Sequence, residues 1–315
     1  MIDNLIDKED EIEFLQFIIP EESEGIRVDK FLSEYSGYSR SRISNYTYKL
    51  LINNKEEKLS KIIKKNDLVQ IYLKVPEDYS EIVPQKYDLN IIYEDDLLLI
   101  IRKPFGVPTH PSFGHPKDTM LNYIKYYLLS KNETTLPDCG MVHRLDKDTE
   151  GLLIFAKTIE SQAYLKSLFM DRKIKKNYFA IVNGIVEPKN FEYKDRLKRD
   201  PNDRLKFKVS TSGKEAVLSY NRIAKSKDYS ALNIDLKTGR THQIRVQFSY
   251  RGHFIVGDPI YGKKQNKIYE EYGMLLLSKK IGFIHPKNNQ FLEFEIDLPE
   301  RFNKFMNNYN IKIED

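Results

Sequence analysis

A chain of 315 residues and 37.2 kDa exceeds one average domain, and with 40% hydrophobic and 31% charged residues it is globular rather than disordered. The net charge of +5 and pI near 8.8 permit a polyanionic partner without demanding one. Cys139 is the only cysteine, which excludes an internal disulfide framework or cysteine-based metal cluster and fits a reducing compartment. No stretch approaches the ~18 apolar residues of a membrane span, and the acidic, mixed start is unlike a signal peptide, so a soluble cytoplasmic protein without membrane contact is expected.

Residues 1–20 read as an acidic lead (Asp7, Glu9, Asp10, Glu11, Glu13) ending in one possible edge strand. Residues 21–75 read as a small α/β domain. Ile26, Val28, Phe31 and Leu32 begin an amphipathic helix, and Ser39 can cap a second one burying Ile43, Tyr46 and Leu50. Leu51-Ile-Asn-Asn54 is a short strand entering a turn, and Asp67-Leu-Val-Gln-Ile-Tyr-Leu73 alternates as a strand should. Residues 25–75 hold 11 lysines and arginines against 5 acids, a net of +6 that exceeds the +5 of the whole chain. Arg40, Arg42 and Lys49 would share a helix surface, with Lys55, Lys58, Lys61, Lys64 and Lys65 following. Such a positive face suggests an RNA-binding module; solubilising lysines are the plainer alternative.

Residues 76–88, with Pro76 and Pro84, read as a linker. A large domain over 89–303 follows, then a polar tail over 304–315 that is expected to fray. Within the large domain two apolar runs around Glu94-Asp-Asp96 form a hairpin, and Thr119 opens a helix carrying Leu121, Ile124 and Leu128 on one face. Thr158 caps a second helix that buries Leu165, Leu168 and Phe169. In the strand that follows, Tyr178, Ala180 and Val182 face one way, Phe179 and Ile181 the other. Residues 194–208 are basic and turn-rich, as in a mobile flap. Strands at 216–220, 229–236, around Leu275 and Phe283, and at 291–296 complete the pattern. With two or three short helices, the fold class is α+β: a mixed, mainly antiparallel sheet with helices packed against it.

Two charge-rich loops carry the candidate chemistry. His143-Arg-Leu-Asp-Lys-Asp-Thr-Glu-Gly151 opens directly into the apolar run 152–156, so a buried strand fixes the loop. Thr238-Gly-Arg-Thr-His-Gln-Ile-Arg245 enters from a second glycine and places Arg245 between Ile244 and Val246, where an arginine needs an anionic partner. If the loops meet across adjacent strands, Asp146 pairs with Arg245 in a cleft, the arrangement wanted for a nucleophilic or proton-abstracting carboxylate. Tyr178 offers a ring on which a base can stack. A solvated, self-paired loop is the plain alternative. The six histidines lack paired ligand spacing, so no metal site is expected, and His143 and His242 read as hydrogen-bonding residues that shape their loops.

These motifs carry two resemblances. Arg27-Val-Asp-Lys-Phe-Leu, Ser39-Arg-Ser-Arg, Leu51-Ile-Asn-Asn and Asp67-Leu-Val together resemble the small RNA-binding domain shared by a small-subunit ribosomal protein and several RNA-modifying enzymes. Asn54 and Asn66 stand where that domain usually has turn glycines, and asparagine tolerates left-handed backbone next best. The 143–151 motif, Lys176-Asn-Tyr-Phe-Ala and Gly239-Arg-Thr-His-Gln-Ile-Arg245 resemble, in order, the signatures of the RluA-type pseudouridine synthases. The similarity runs over residues 89–299, and the basic front module is usual in the ribosomal RNA branch of that family.

The resemblance implies an enzyme that isomerises uridine in RNA with no metal or organic cofactor. Asp146 would be the essential carboxylate, acting at ribose C1′ or at the base, with both routes open. Arg144 would hold the flipped nucleotide by its phosphate. Tyr178 would stack on the uracil and serve in proton removal from C5, and Arg245 would pair with Asp146 with Ile244 packed nearby. Arg240, Arg40, Arg42 and Lys49 would contact RNA, while His143, Gly151, Gly239 and His242 would shape the site. Large-subunit ribosomal RNA is favoured over transfer RNA, and no obligate protein partner is implied. Two positions depart from the family pattern: Glu150 replaces a serine and would bring negative charge near phosphates, and Leu277 replaces a supporting histidine. A non-catalytic RNA-binding or assembly factor is the alternative from another class.

Overall fold

The computed structural model describes residues 6–7, 12–36, 40, 43–44, 47–74, 82–112, 114–203, 205–262 and 266–314. The chain divides into two compact units, residues 1–78 and 79–315.

In the small unit a five-stranded antiparallel sheet runs in the order β1-β2-β5-β3-β4. Its strands are β1 (Ile6–Asp7), β2 (Ile12–Ile18), β3 (Thr47–Ile52), β4 (Lys55–Glu56) and β5 (Leu68–Lys74). Helix α1 (Val28–Tyr35) lays Val28, Phe31 and Leu32 on this sheet, against Leu15, Ile19, Ile43, Val69 and Ile71. The residues read as a lead over 1–20 therefore include a full strand paired on both sides, with Leu15 and Ile19 in the core. Asn53, Asn54 and Asn66 adopt left-handed angles (φ 51°, 63° and 65°), which closes the turns without glycine. Leu50 and Lys49 belong to β3, not to a second helix, so Lys49 and Arg40 share no helix surface. Ser39, Arg42 and Tyr46 lie outside the described residues. Arg40 donates to Asp29 at 2.7 Å, and Arg27 holds the same carboxylate at 3.0 Å. The hydrogen bond from Arg27, then Arg40, brings the Asp29 carboxyl down to about 2. Lys49, Lys55, Lys58 and Lys64 are exposed and form no ion pair among the described residues.

The large unit is built on an eleven-stranded, mainly antiparallel sheet, ordered β11-β10-β12-β13-β9-β14-β8-β7-β6, with β15 paired to β14 and β16 to β12. In chain order its elements are β6 (Ile91–Glu94), β7 (Leu98–Lys103), α2 (Met120–Ser130), β8 (Glu150–Ala156), α3 (Ile159–Met170), β9 (Lys175–Asn183), β10 (Asn190–Arg199), β11 (Phe207–Val209), β12 (Lys214–Lys225), β13 (Tyr229–Leu236), α4 (Gln243–Tyr250), α5 (Asn266–Tyr272), β14 (Leu276–Ile284), β15 (Phe291–Glu295), α6 (Glu300–Asn308) and β16 (Lys312–Ile313). The α+β class holds, with five helices described here instead of two or three. None of them is long and apolar enough to cross a membrane.

Each face of the sheet has its own core. Leu99, Ile101, Leu153, Tyr178, Ala180 and Val182 face α2 and α4; Leu98, Ile100, Phe179 and Ile181 face Leu165 and Leu168 of α3 and Phe302 and Phe305 of α6. This two-sided cover explains the unbroken apolar runs 98–101 in β7 and 152–156 in β8. Thr158 caps α3 by accepting from the Ser161 N–H at 3.2 Å, while Phe169 is only half buried and stacks on His143. Parallel pairing joins β8 to β14 beside Gly151 (φ 125°), where a Cβ would come within 2.3 Å of the Ser278 carbonyl oxygen. That approach admits no side chain.

Three further expectations change. Within residues 194–208, 194–199 and 207–208 lie in the paired strands β10 and β11, and the turn-rich part narrows to the connection between them. The two loops do not meet across adjacent strands, since β13 and β8 are separated by β9 and β14 and Arg245 lies on helix α4, where Ile244 and Phe248 face one core while Val246 meets a small separate cluster. The polar tail is anchored, because Phe305 is fully buried, Ile311 nearly so, and β16 pairs with β12.

Candidate active site

The loop before β8 is held from three sides. The buried Thr109 hydroxyl donates to the Leu145 carbonyl at 2.7 Å and accepts from the Leu145 N–H at 3.2 Å. Lys103, with no exposed surface, donates to the carbonyls of Pro104, Val107 and Lys147 at 2.9, 2.7 and 2.9 Å. Burial brings its ammonium down to about 7, against the opposing pull of Asp148 and Asp146. The His143 Nε2 accepts from the Ile154 N–H at 3.0 Å, which ties the loop to its own strand.

Burial, reinforced by Lys176, depresses the His143 imidazole to about 3, so the ring stays neutral and can accept that bond. A depressed histidine contributes stability that is fully present above its unfolded pKa of about 6.5 and is lost as pH falls toward 3. Lowering pH from 6.5 to 5 should therefore cost the large unit up to about 2 kcal/mol through this one group. Urea midpoints of wild type and His143→Gln across that range check it: the wild-type slope should be the steeper, and equal slopes would contradict the assignment.

Asp146 emerges from this loop half buried, with 28% of its side chain exposed. Arg245 Nη1 donates to its Oδ2 at 3.1 Å, across 99 residues of sequence. The other side of the guanidinium is locked by Asp258, with Nε to Oδ2 at 2.7 Å and Nη2 to Oδ1 at 2.8 Å. Burial alone would lower the Arg245 pKa, but the hydrogen bonds and charges of Asp258 and Asp146 outweigh it and hold the cation. Asp258 is itself fixed by the N–H groups of Ile260 and Tyr261. Arg245 also lies in the first turn of α4, so the positive end of that helix faces the carboxylate region.

His242 caps α4 in left-handed conformation (φ 54°), which turns its ring toward the cleft. Its Nδ1 is 3.0 Å from the Tyr261 hydroxyl, and its Nε2 is 3.8 Å from Asp146. The Tyr261 oxygen accepts from the Phe207 N–H at 2.9 Å, leaving its proton for Nδ1 and placing the imidazole proton on Nε2, toward Asp146. Burial lowers the His242 pKa, partly offset by Asp146.

Arg144, Asp146, Tyr178, His242, Ile244 and Arg245 line one open cavity of about 610 Å³, with Gly239 and Arg240 at its rim. Arg144 is exposed there and has no ion pair among the described residues, whereas the Arg240 Nε donates to the Glu215 carbonyl at 2.8 Å. Burial raises the Tyr178 phenol to about 12, with Ser278 hydrogen bonding in opposition. His143 and Gly151 stand behind the cavity, not in it. Arg40 and Lys49 belong to the small unit. Gly239 does not adopt left-handed angles, so its turn needs no glycine for conformational reasons. Glu150 brings no free charge toward the cavity: Arg102 holds one carboxylate oxygen at 2.7 Å and Arg301 the other at 3.1 Å. Leu277 is fully buried in the apolar core.

Lys103, Thr109, Asp258 and Tyr261 were not singled out from sequence. Lys103 was within reach, since it follows Leu99 and Ile101 at period two on the inward face of β7.

Residues 97–250 match the family model described as RNA pseudouridylate synthase. An uncharacterized RNA pseudouridine synthase of Aquifex aeolicus is 34% identical over 303 residues, covering 92% of this chain and 95% of that protein. The ribosomal large subunit pseudouridine synthase D of Borreliella burgdorferi is 34% identical over 297 residues, covering 90% of each chain. The solved structure of human RNA pseudouridylate synthase domain containing 4 superposes with a TM-score of 0.57 at 19% identity, over 72% of this chain and 95% of that one, a likeness of fold.

Proposed function

The chain belongs to the RNA pseudouridine synthase family, and from that premise we propose that it isomerises uridines of large-subunit ribosomal RNA, with Asp146 as the catalytic carboxylate. The observation that carries the assignment is the Asp146–Arg245–Asp258 array: a carboxylate presented to an open cavity by a guanidinium that is itself immobilised. The ribosomal target rests on relatives named for the large subunit in several bacteria, and it would place the protein where those bacteria handle ribosomal RNA, in the cytoplasm.

The reaction breaks the bond between ribose C1′ and uracil N1, turns the base, and forms a bond from C1′ to C5. The C5 proton is lost and N1 gains one, so the change is an isomerisation. Asp146 assists the first cleavage, either by attack at C1′ or through the base, and both remain compatible with a half-buried carboxylate at the cavity wall. Ile244 and the Tyr178 ring supply apolar walls for the uracil. A phenol raised to about 12 is neutral at physiological pH, so Tyr178 takes the C5 proton only by passing its own on. Turning the uridine out of a helix costs a few kcal/mol. Arg144, free of carboxylates, offsets this through a phosphate contact, and the small unit's exposed lysines add non-specific affinity as an RNA-binding module.

Purified protein incubated with large-subunit ribosomal RNA carrying tritium at uridine C5 tests the reading. Tritium should pass to water in step with pseudouridine formation. Retention of label on both large-subunit and transfer RNA would reject it; release from transfer RNA alone would correct the target.

A further inference from the structure

We propose that Lys176, flanked by Arg240 and Arg172, forms a phosphate subsite at the edge of the catalytic cavity, taking a backbone phosphate of the RNA beside the isomerised uridine. The inference rests on the RNA-modifying reading above and extends it to a residue outside the cavity wall.

Lys176 is the second residue of β9, two before Tyr178, and is only half exposed. Its ammonium forms no ion pair or hydrogen bond with a described residue and lies 5.9 Å over the Phe169 ring. Lysines that give up water are ordinarily paired. The acids of the recess it lines are engaged elsewhere, Asp235 by Asn177 at 3.0 Å and Glu293 and Glu295 by other lysines, while burial first, then Arg240 and Arg172, pull the ammonium down to about 8. Arg172 has its own acid, Glu215 at 3.0 Å, and the Arg240 Nε its carbonyl at 2.8 Å, so among the three Lys176 is the cation left for an outside anion.

Neighbouring lysines differ in this respect. Lys279 and Lys280 share a recess of about 260 Å³ with Lys176, yet both are bound to Glu295, and Lys280 also to Glu293. Lys175 lies over the Phe291 ring at 4.7 Å. Lys176 alone of these four reaches the catalytic side, where its Nζ lies 3.6 Å from the place a Cβ on Gly239 would occupy. Gly239 and Arg240 line the cavity rim. The ammonium therefore lies against the cavity-edge residue Gly239, at a distance that would also admit a Cβ. A phosphate there would hold the ammonium charged and offset its repulsion with Arg240, and RNA carries such phosphates along its strand.

Filter binding of a large-subunit ribosomal RNA transcript to wild type, Lys176→Gln, Lys176→Arg and, as control, Lys175→Gln tests this from about 50 to 200 mM salt. Losing one phosphate contact should lower the salt slope of log K by about 0.7–0.9 in Lys176→Gln. Lys176→Arg should keep the slope, and Lys175→Gln should change it less than Lys176→Gln. Turnover should show KM raised severalfold with kcat held within about twofold, the sign of binding lost equally from ground and transition states. An unchanged slope would overturn the proposal, as would a fall in kcat with slope intact, which would make Lys176 a packing residue behind His143. If wild type turned over no RNA the enzymatic reading would fail, while the slopes would still decide this one.

Discussion

Asp146→Asn should reduce turnover by about 10⁴-fold or more while leaving RNA affinity and the unfolding midpoint close to wild type. The substitution keeps the shape of the side chain and an acceptor for Arg245 Nη1, but removes the charge that the reaction uses. Asp146 is the half-buried member of the array, so the fold draws little from it. Single-turnover rates at saturating RNA, with thermal unfolding of the same preparations, separate chemistry from folding. Residual turnover within tenfold of wild type would move the catalytic role elsewhere.

The second large effect lies outside the cavity. Asp258 has no exposed side-chain surface and holds Arg245 through two hydrogen bonds of 2.7 and 2.8 Å. Asp258→Ala leaves a buried guanidinium with only one acid, at its Nη1 end, and should destabilise the large unit by about 3–5 kcal/mol. It also frees Arg245 to tilt toward Asp146, and misplacement of about 1 Å is worth roughly 100-fold in rate. Urea unfolding and kcat/KM of the folded fraction should therefore fall together. Asp258→Asn, which retains one acceptor, should lie between. Wild-type stability in Asp258→Ala would mean that Arg245 is positioned by α4 alone.

What the sequence disclosed and what it hid have the same physical origin. The loop at 143–151 was legible because charged residues pass abruptly into an apolar run, and β8 is buried along its whole length. The faces of β9 followed from strict alternation of Tyr178, Ala180 and Val182 against Phe179 and Ile181. The route by which the two loops meet was not legible: Arg245 comes from a helix, and the strands β8 and β13 next to the loops are not neighbours in the sheet. Spacing misled at Ile43, Tyr46 and Leu50: it suits a helix, but the run from Thr47 pairs with β5. Asp258 stayed hidden because its partner is 13 residues away and its turn resembles any other Asp-Pro turn. Glu150 looked like misplaced charge because Arg301, 151 residues distant, gives no local sign of approaching it.

The most direct measurement is a chemical map of pseudouridines in ribosomal and transfer RNA from cells lacking this protein, repeated after restoring it intact or as Asp146→Asn. Particular uridines of large-subunit RNA should lose the modification on deletion and regain it only with the intact protein. Restoration by Asp146→Asn, or a map unchanged by deletion, would contradict the account.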